Sequence, residues 1–284
     1  LFRPSRALMT SARSAAGLTV LPLAVLAVAL VAVSGSIHPW GDIALMEMRT
    51  RDVGHHAVLL GPFSRMGWHH PGPALYYLLA VPYRLLGGAP LGLYLGAIAI
   101  NVGAVAGMVA LARRRGGPAL ALVTAVALSL LLRSLGPEMW SDPWNPSVTV
   151  LPFGLFLFVV AELMAGRPWA LPAAAGLASF LIQSHAAYLV LTVPLLGAGG
   201  LWWAVAAYRQ AASDRSGRSG DGGSEDEAAA EPGAADVPHP HPHRRYVSRM
   251  VAATAGVVVL FWLPPLIEQL TNDPGNQTLQ YDYA

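Results

Sequence analysis

GLTVLPLAVLAVALVAVSG, residues 17–35, carries no charged side chain from end to end. A helix of that length covers the hydrocarbon thickness of a bilayer, because a spanning helix needs about 20 mostly apolar residues. Arg3, Arg6 and Arg13 precede the run and the small residues Ser34-Gly35-Ser36 follow it, a pattern shared with cleaved leaders. The apolar core is longer than a leader needs and more apolar segments follow, so it reads as the first span.

The whole chain agrees with that reading. Of its 284 residues, 54% are hydrophobic and 12% charged, against about 25% charged in a soluble domain. A water-soluble globule cannot hide so much apolar surface, which leaves an integral membrane protein. The absence of cysteine excludes disulfides, thiolate zinc sites and Cys nucleophiles. All 18 basic residues are arginine and the net charge is only +2, so no nucleic-acid partner is indicated.

Further apolar segments lie at about 91–112, 118–134, 148–166, 169–184, 186–207 and 250–267. Arginine clusters orient them, since short cytoplasmic loops carry an excess of basic residues. With Arg3–Arg13 inside, the Arg113-Arg114-Arg115 triplet, Arg167, Arg209 and the Arg244/Arg245/Arg249 group all fall on the cytoplasmic side. Seven spans result in a multi-pass plasma-membrane protein with a cytoplasmic N-terminus. Residues 73–87 do not fit as a span: they are short and contain Pro82 and Arg84. They read as an interfacial helix within one long outer loop, 36–90. Residues 1–209 thus form a transmembrane module, 210–248 a disordered cytoplasmic linker rich in Gly, Ser, Ala and Pro, and 249–284 a seventh span with the start of an outer loop. His239, His241 and His243 alternate with proline in the linker, a spacing that spreads them apart.

Polar residues beside membrane spans are functional candidates by default, and here they gather on the outer face. Asp42 follows span 1 at headgroup depth, where the phosphate of a polyprenyl lipid also lies. It can act as general base toward an acceptor hydroxyl, or simply cap a helix. Arg65, with His69 or His70, can meet a lipid phosphate and stabilise it as a leaving group. Glu47 follows Asp42 by five residues, and the two are the first ligands to consider if a divalent cation, Mg²⁺ or Mn²⁺, is used. No other cofactor is indicated. Asp142 stands between Trp140 and Trp144, an arrangement that suits a stacked sugar ring or an interfacial aromatic belt. Gln183 and His185, at the outer end of a short span, can close a pocket or snorkel to the interface.

The run Gly41-Asp42…Glu47, then Gly61-Pro62-Phe63-Ser64-Arg65-Met66-Gly67-Trp68-His69-His70-Pro71-Gly72-Pro73 and a Tyr/Leu-rich short helix, resembles the GT-C superfamily of membrane glycosyltransferases. That group includes protein mannosyltransferases, aminoarabinose transferases and actinobacterial arabinofuranosyl- and mannosyltransferases. The resemblance covers about residues 17–207. It implies an all-α polytopic fold, a GT-C-like transmembrane helix bundle with a long first outer loop carrying interfacial helices. It also implies an inverting transfer from a polyprenyl-phosphate sugar to a cell-envelope glycan, lipid or protein, with Asp42 as the catalytic base. Several relatives carry paired acids where Asp42 is followed by Ile43, and most have more spans, so the chain is expected to be a fragment of a longer protein. A transporter or flippase for an envelope lipid and an inactive membrane scaffold are the other readings. The first predicts charges buried inside spans, and the span interiors hold little beyond Asn101, Arg133 and Glu162.

Overall fold

A computed structural model describes residues 37–220 and 242–283, together with Val28 and Val31. Apart from those two valines, the expected span 17–35 lies outside the described residues, as does 221–241 of the expected linker. What is described is helical, with two isolated β-bridges and no strand. Two helices fall within the loop expected at 36–90, α1 (Asp42–Asp52) and α2 (Ala74–Leu85).

The stretch Leu91–Leu135 is helical throughout except at Gly116 (φ −122°, ψ 16°) and Gly117 (φ 67°, ψ −161°). Gly117 adopts a left-handed conformation open only to glycine at little cost, and Pro118 then starts a new helix at the position where proline is best tolerated. The stretch is therefore a helical hairpin, α3 (91–115) and α4 (118–135), as the separate expectations for 91–112 and 118–134 require. Ile98, Ala104, Val105 and Met108 of α3 form one buried cluster with Ala121, Ala125, Leu128 and Leu132 of α4. Gly136, at φ 81°, ends α4 with its N–H bonded to the Leu132 carbonyl.

Two short helices follow, α5 (Pro137–Ser141) and α6 (Asn145–Val148), then α7 (Val150–Met164) and α8 (Ala170–Ser184). A 3₁₀ turn at Ala186–Tyr188 leads into α9 (Leu189–Gly220), and α10 (Pro242–Thr271) and α11 (Asn276–Tyr283) complete the described chain. Four helical stretches are long and apolar enough to cross a membrane: Leu91–Leu135, Asn145–Met164, Ala186–Arg209 and Arg245–Thr271. The shorter α8 is about 22 Å long and packs in the middle of the bundle. The expected linker 210–248 is narrower than its composition suggests, because α9 continues to Gly220 and α10 begins at Pro242. Gln210, Ala211 and Ala212 are good helix formers, and proline at a helix start costs nothing.

Apolar side chains gain little by leaving lipid for a protein interior, so spans associate through close packing of small residues. The bundle follows this rule. Ala97, Ala170 and Ala174 are fully buried. A Cβ on Gly107 would lie 2.8 Å from Leu155 on α7, and one on Gly154 would lie 3.1 Å from Met108 on α3. The interfacial helix α2 buries Leu75, Tyr76, Leu79 and Tyr83 where Gly92 of α3 lets the Tyr83 backbone approach directly.

The two ends of the bundle differ in chemistry. At one end, Arg115 sets its Nε 2.8 Å from Glu162 Oε1 and donates from Nη2 to the Ala161 carbonyl at 2.6 Å. Arg167 approaches the same carboxylate at 3.9 Å, and Trp202 Nε1 donates to the Met164 carbonyl. The Arg115–Glu162 contact is close enough for full Coulomb attraction but lies off hydrogen-bonding direction, since Glu162 Oε1 accepts no hydrogen bond. Arg115 and Arg167 thus share one end, as alternating helices demand. The other end is built from amides, imidazoles and the segments 37–90 and 136–147.

Candidate functional site

Segment 61–70 doubles back on itself, with Gly61 N–H donating to the His70 carbonyl, His70 N–H to the Pro62 carbonyl and Ser64 N–H to the Trp68 carbonyl. Gly67, at φ 88°, makes the tip. Arg65 at this tip lies 3.7 Å from Asp42 at the start of α1, with side chains 89% and 46% exposed. Both groups are therefore solvated and free to exchange partners.

Glu47, one and a half turns along α1, is engaged elsewhere. Its Oε1 accepts from the Tyr83 hydroxyl at 3.0 Å and from Arg51 Nη2 at 3.5 Å. Burial raises the Tyr83 hydroxyl pKa, which keeps it a donor. Among the described residues no three His, Asp or Glu side chains converge as a cation site needs. Asp42 and Glu47 hold separate partners, a poor fit to the expected Mg²⁺ or Mn²⁺ pair.

Asp142 has a structural occupation. Its Oδ1 accepts from Trp144 N–H at 3.0 Å and its Oδ2 from the Ser147 hydroxyl at 2.9 Å, capping the α6 turn. Trp144 is 40% exposed and available to stack on a ligand or lie in the interface. Gln183 is buried and fully used. Its Oε1 accepts from Ala74 N–H at the start of α2, and its Nε2 donates to the Phe261 carbonyl at 2.6 Å. Pro265 has no N–H, so the Phe261 carbonyl lacks its helical partner and Gln183 supplies one. The bases of the outer loop press on the same residue, since a Cβ at Gly72 would collide with the Gln183 side chain and one at Gly61 with its carbonyl.

The His70 and His185 rings pack with centres 4.6 Å apart and planes tilted by 31°. His70 Nδ1 accepts from Ala186 N–H at 3.1 Å and His185 Nδ1 from Ala187 N–H at 3.3 Å. Both imidazoles are thus neutral, with the proton on Nε2. Burial, then the neighbouring His185, pushes the His70 pKa down to about 4, and burial lowers that of His185. His69 points the other way. Its Nδ1 lies 3.1 Å from the Gly61 carbonyl, which can only accept, and burial lowers its pKa. Its N–H donates to Asn276 Oδ1 at 2.7 Å while Asn276 Nδ2 donates to its carbonyl at 2.8 Å.

Of the nine residues singled out in the sequence, Asp42 and Arg65 form an exposed pair, Glu47 joins Tyr83, Asp142 accepts from Trp144 N–H, His70 and His185 pack ring to ring, His69 holds Asn276 and Gln183 ties α2 to α10. Sequence reasoning missed Tyr83, Glu268 and Asn276. Glu268 accepts from Asn276 N–H at 3.1 Å. Both amide atoms of Asn276 bond the His69 backbone and the residue is 2% exposed, so the Asn276-Gln277-Thr278 sequon is occupied by structure.

Below this polar layer lies an apolar cavity of about 660 Å³, open on one side. Tyr77 and Leu78 of α2, Ile100 of α3, Phe180 of α8 and Phe261 and Pro264 of α10 line it. Gly103 faces it with nothing near its Cβ direction, so the missing side chain is part of the opening. No family model matches the chain, and no curated protein or solved structure matches it.

Proposed function

We propose that this chain is the transmembrane core of an inverting glycosyltransferase that takes a sugar from a polyprenyl-phosphate donor to a cell-envelope acceptor on the outer face of the plasma membrane. The observation that carries this reading is the 660 Å³ cavity, apolar apart from Gln183 and Tyr77. It lies within the roughly 300–1,000 Å³ of ligand sites and is lined by residues of α2, α3, α7, α8 and α10, the helices expected to cross or border the membrane. That is the shape required to hold an isoprenoid tail while its phosphate reaches the loops above.

In this mechanism Asp42 takes the proton of the acceptor hydroxyl as its oxygen attacks the anomeric carbon. The anomeric C–O bond to phosphate breaks in the same displacement, which inverts the centre. The bonding electrons leave on the polyprenyl phosphate, whose added charge Arg65 offsets. Arg65 rests against Asp42 before donor binds, so donor binding exchanges one anion for another and frees the base. A lipid carrier would need a polar path between the two ends, and the cavity lining offers none beyond Gln183 and Tyr77.

The test is sugar transfer in membranes containing the protein, supplied with labelled polyprenyl-phosphate sugars. Turnover of one donor by the wild type, lost in Asp42→Asn at equal expression, is the expected result. Equal turnover by both removes Asp42 from the role, and no turnover of any donor overturns the enzyme reading.

A further inference from the structure

A second cavity, of about 250 Å³, lies between the first outer loop and the end of α10. Segment 57–61 forms one wall, and Arg49, His69, Glu268 and Asn272 form the other. We infer that this cavity binds a single hydroxylated ring of monosaccharide size and, resting on the glycosyltransferase reading above, that this ring belongs to the acceptor.

The wall chemistry selects such a ligand. Leu59 and Leu60 offer an apolar surface of the kind that meets the C–H face of a sugar ring. The polar wall meets its hydroxyl edge with both acceptors and donors. Glu268 is 8% exposed; its Oε2 takes the Asn276 N–H, and a carboxylate has further lone pairs with which to accept. His69 donates through Nδ1 to Gly61, which leaves Nε2 as an acceptor. Two acceptors at one wall call for hydroxyl hydrogens. Arg49, loosely held by Asp52 at 3.9 Å, supplies the donors, since the Asn272 amide is committed to the Glu268 carbonyl and the Thr271 hydroxyl. Arg49 and Glu268 carry opposite charges, so the cavity has no net charge to hold a phosphate or a nucleotide. The volume falls below the roughly 300–1,000 Å³ of larger ligand sites, which limits the occupant to one ring.

The site couples to the proposed chemistry through the loop. His69 and Arg65 belong to the same folded segment 61–70, and Asn276 grips His69 while its own N–H rests on Glu268. A ring bound against Glu268 and His69 therefore sits on the element that carries Arg65 to Asp42.

Saturation-transfer NMR with the full chain in detergent micelles and a panel of methyl pyranosides and furanosides tests the inference without requiring turnover. The expected result is saturable binding of one glycoside, weakened at least tenfold by Glu268→Gln, whose amide oxygen still accepts the Asn276 N–H and keeps the fold. Leu60→Trp, which fills the cavity from the opposite wall, is expected to abolish it. Absence of binding by every glycoside, or binding unchanged in both variants, overturns the proposal, as does preferential binding of inorganic phosphate or a zwitterionic amino acid. Glycoside binding without transfer from any donor keeps the site and overturns the enzyme reading. Transfer with an unchanged acceptor KM in Glu268→Gln keeps the enzyme and overturns the site.

Discussion

Replacing Gln183 by methionine keeps side-chain length and removes both of its hydrogen bonds. Two buried groups then lose their partner: Ala74 N–H, held at 3.3 Å, and the Phe261 carbonyl, held at 2.6 Å. An unsatisfied buried polar group costs about 1–3 kcal/mol. The long bond to Ala74 belongs at the low end of that range and the short one to Phe261 near the middle. The sum is about 2–4 kcal/mol, measurable by unfolding in mixed detergent micelles. The physical cause is separable from general damage by a double-mutant cycle with Pro265→Ala. Alanine restores the N–H that the Phe261 carbonyl lacks, so in that background Gln183→Met should cost about 1–2 kcal/mol less. Equal losses in the two backgrounds would refute the claim that Gln183 replaces a helical hydrogen bond taken away by proline.

Three further outcomes follow from the same geometry. His70 has a folded-state pKa of about 4 against an ordinary value near 6.5, so its contribution to stability is complete above pH 6.5 and is lost as pH falls toward 4. Unfolding free energy should drop by about 3 kcal/mol over that window, and His70→Asn should flatten the profile; a profile equally steep in the variant assigns the loss elsewhere. Glu162→Gln should cost about 1–2 kcal/mol, less than a fully buried pair because its arginine partners are 43% and 63% exposed. Arg115→Ala should then cost more than Arg167→Ala, because only Arg115 also bonds the Ala161 carbonyl; equal costs contradict the ranking. Gly72→Ala should lower thermal stability as much as Gln183→Met or more, since the added methyl collides with the Gln183 side chain. An unchanged melting temperature in Gly72→Ala would show that the outer loop does not rest on α8.

The helices were legible because each apolar run is bounded by residues whose local chemistry stops a helix. Arg113-Arg114-Arg115-Gly116-Gly117-Pro118 is readable as a turn, and it breaks Leu91–Leu135 there. Residues 73–87 were readable as a short interfacial piece because Pro82 and Arg84 forbid a crossing, and α2 occupies that stretch. The continuation of α9 to Gly220 was hidden, because Ala- and Ser-rich polar sequence supports a helix as readily as a coil. Asp142 carried a local signal that was passed over: Asp-Pro opens a turn, and its carboxylate closes the next two N–H and O–H groups. Asn276 gave no comparable signal, because its partner His69 lies 207 residues away in sequence.

Charge and amide side chains divide the work at the outer end of the bundle, and the division sorts the candidates. A group that must fix helices in an apolar surrounding does so most cheaply as an amide, because a buried ion costs several kcal/mol in lost hydration before any pairing. Gln183, Asn145 and Asn276 are all buried and each ties its own element to a backbone group of a distant segment. A reacting carboxylate and a phosphate-binding guanidinium have the opposite need, since each must give up its resting partner when substrate arrives. Asp42 and Arg65 meet it, with solvated side chains and one loose contact at 3.7 Å. Asp142 does not, because both its oxygens are committed to capping. The proposed chemistry therefore rests on Asp42 with Arg65, while Glu47 is engaged with Tyr83. Gln183, expected to close a pocket, and His70, expected to meet a lipid phosphate, instead hold segment 61–74 against α8 and the turn after it.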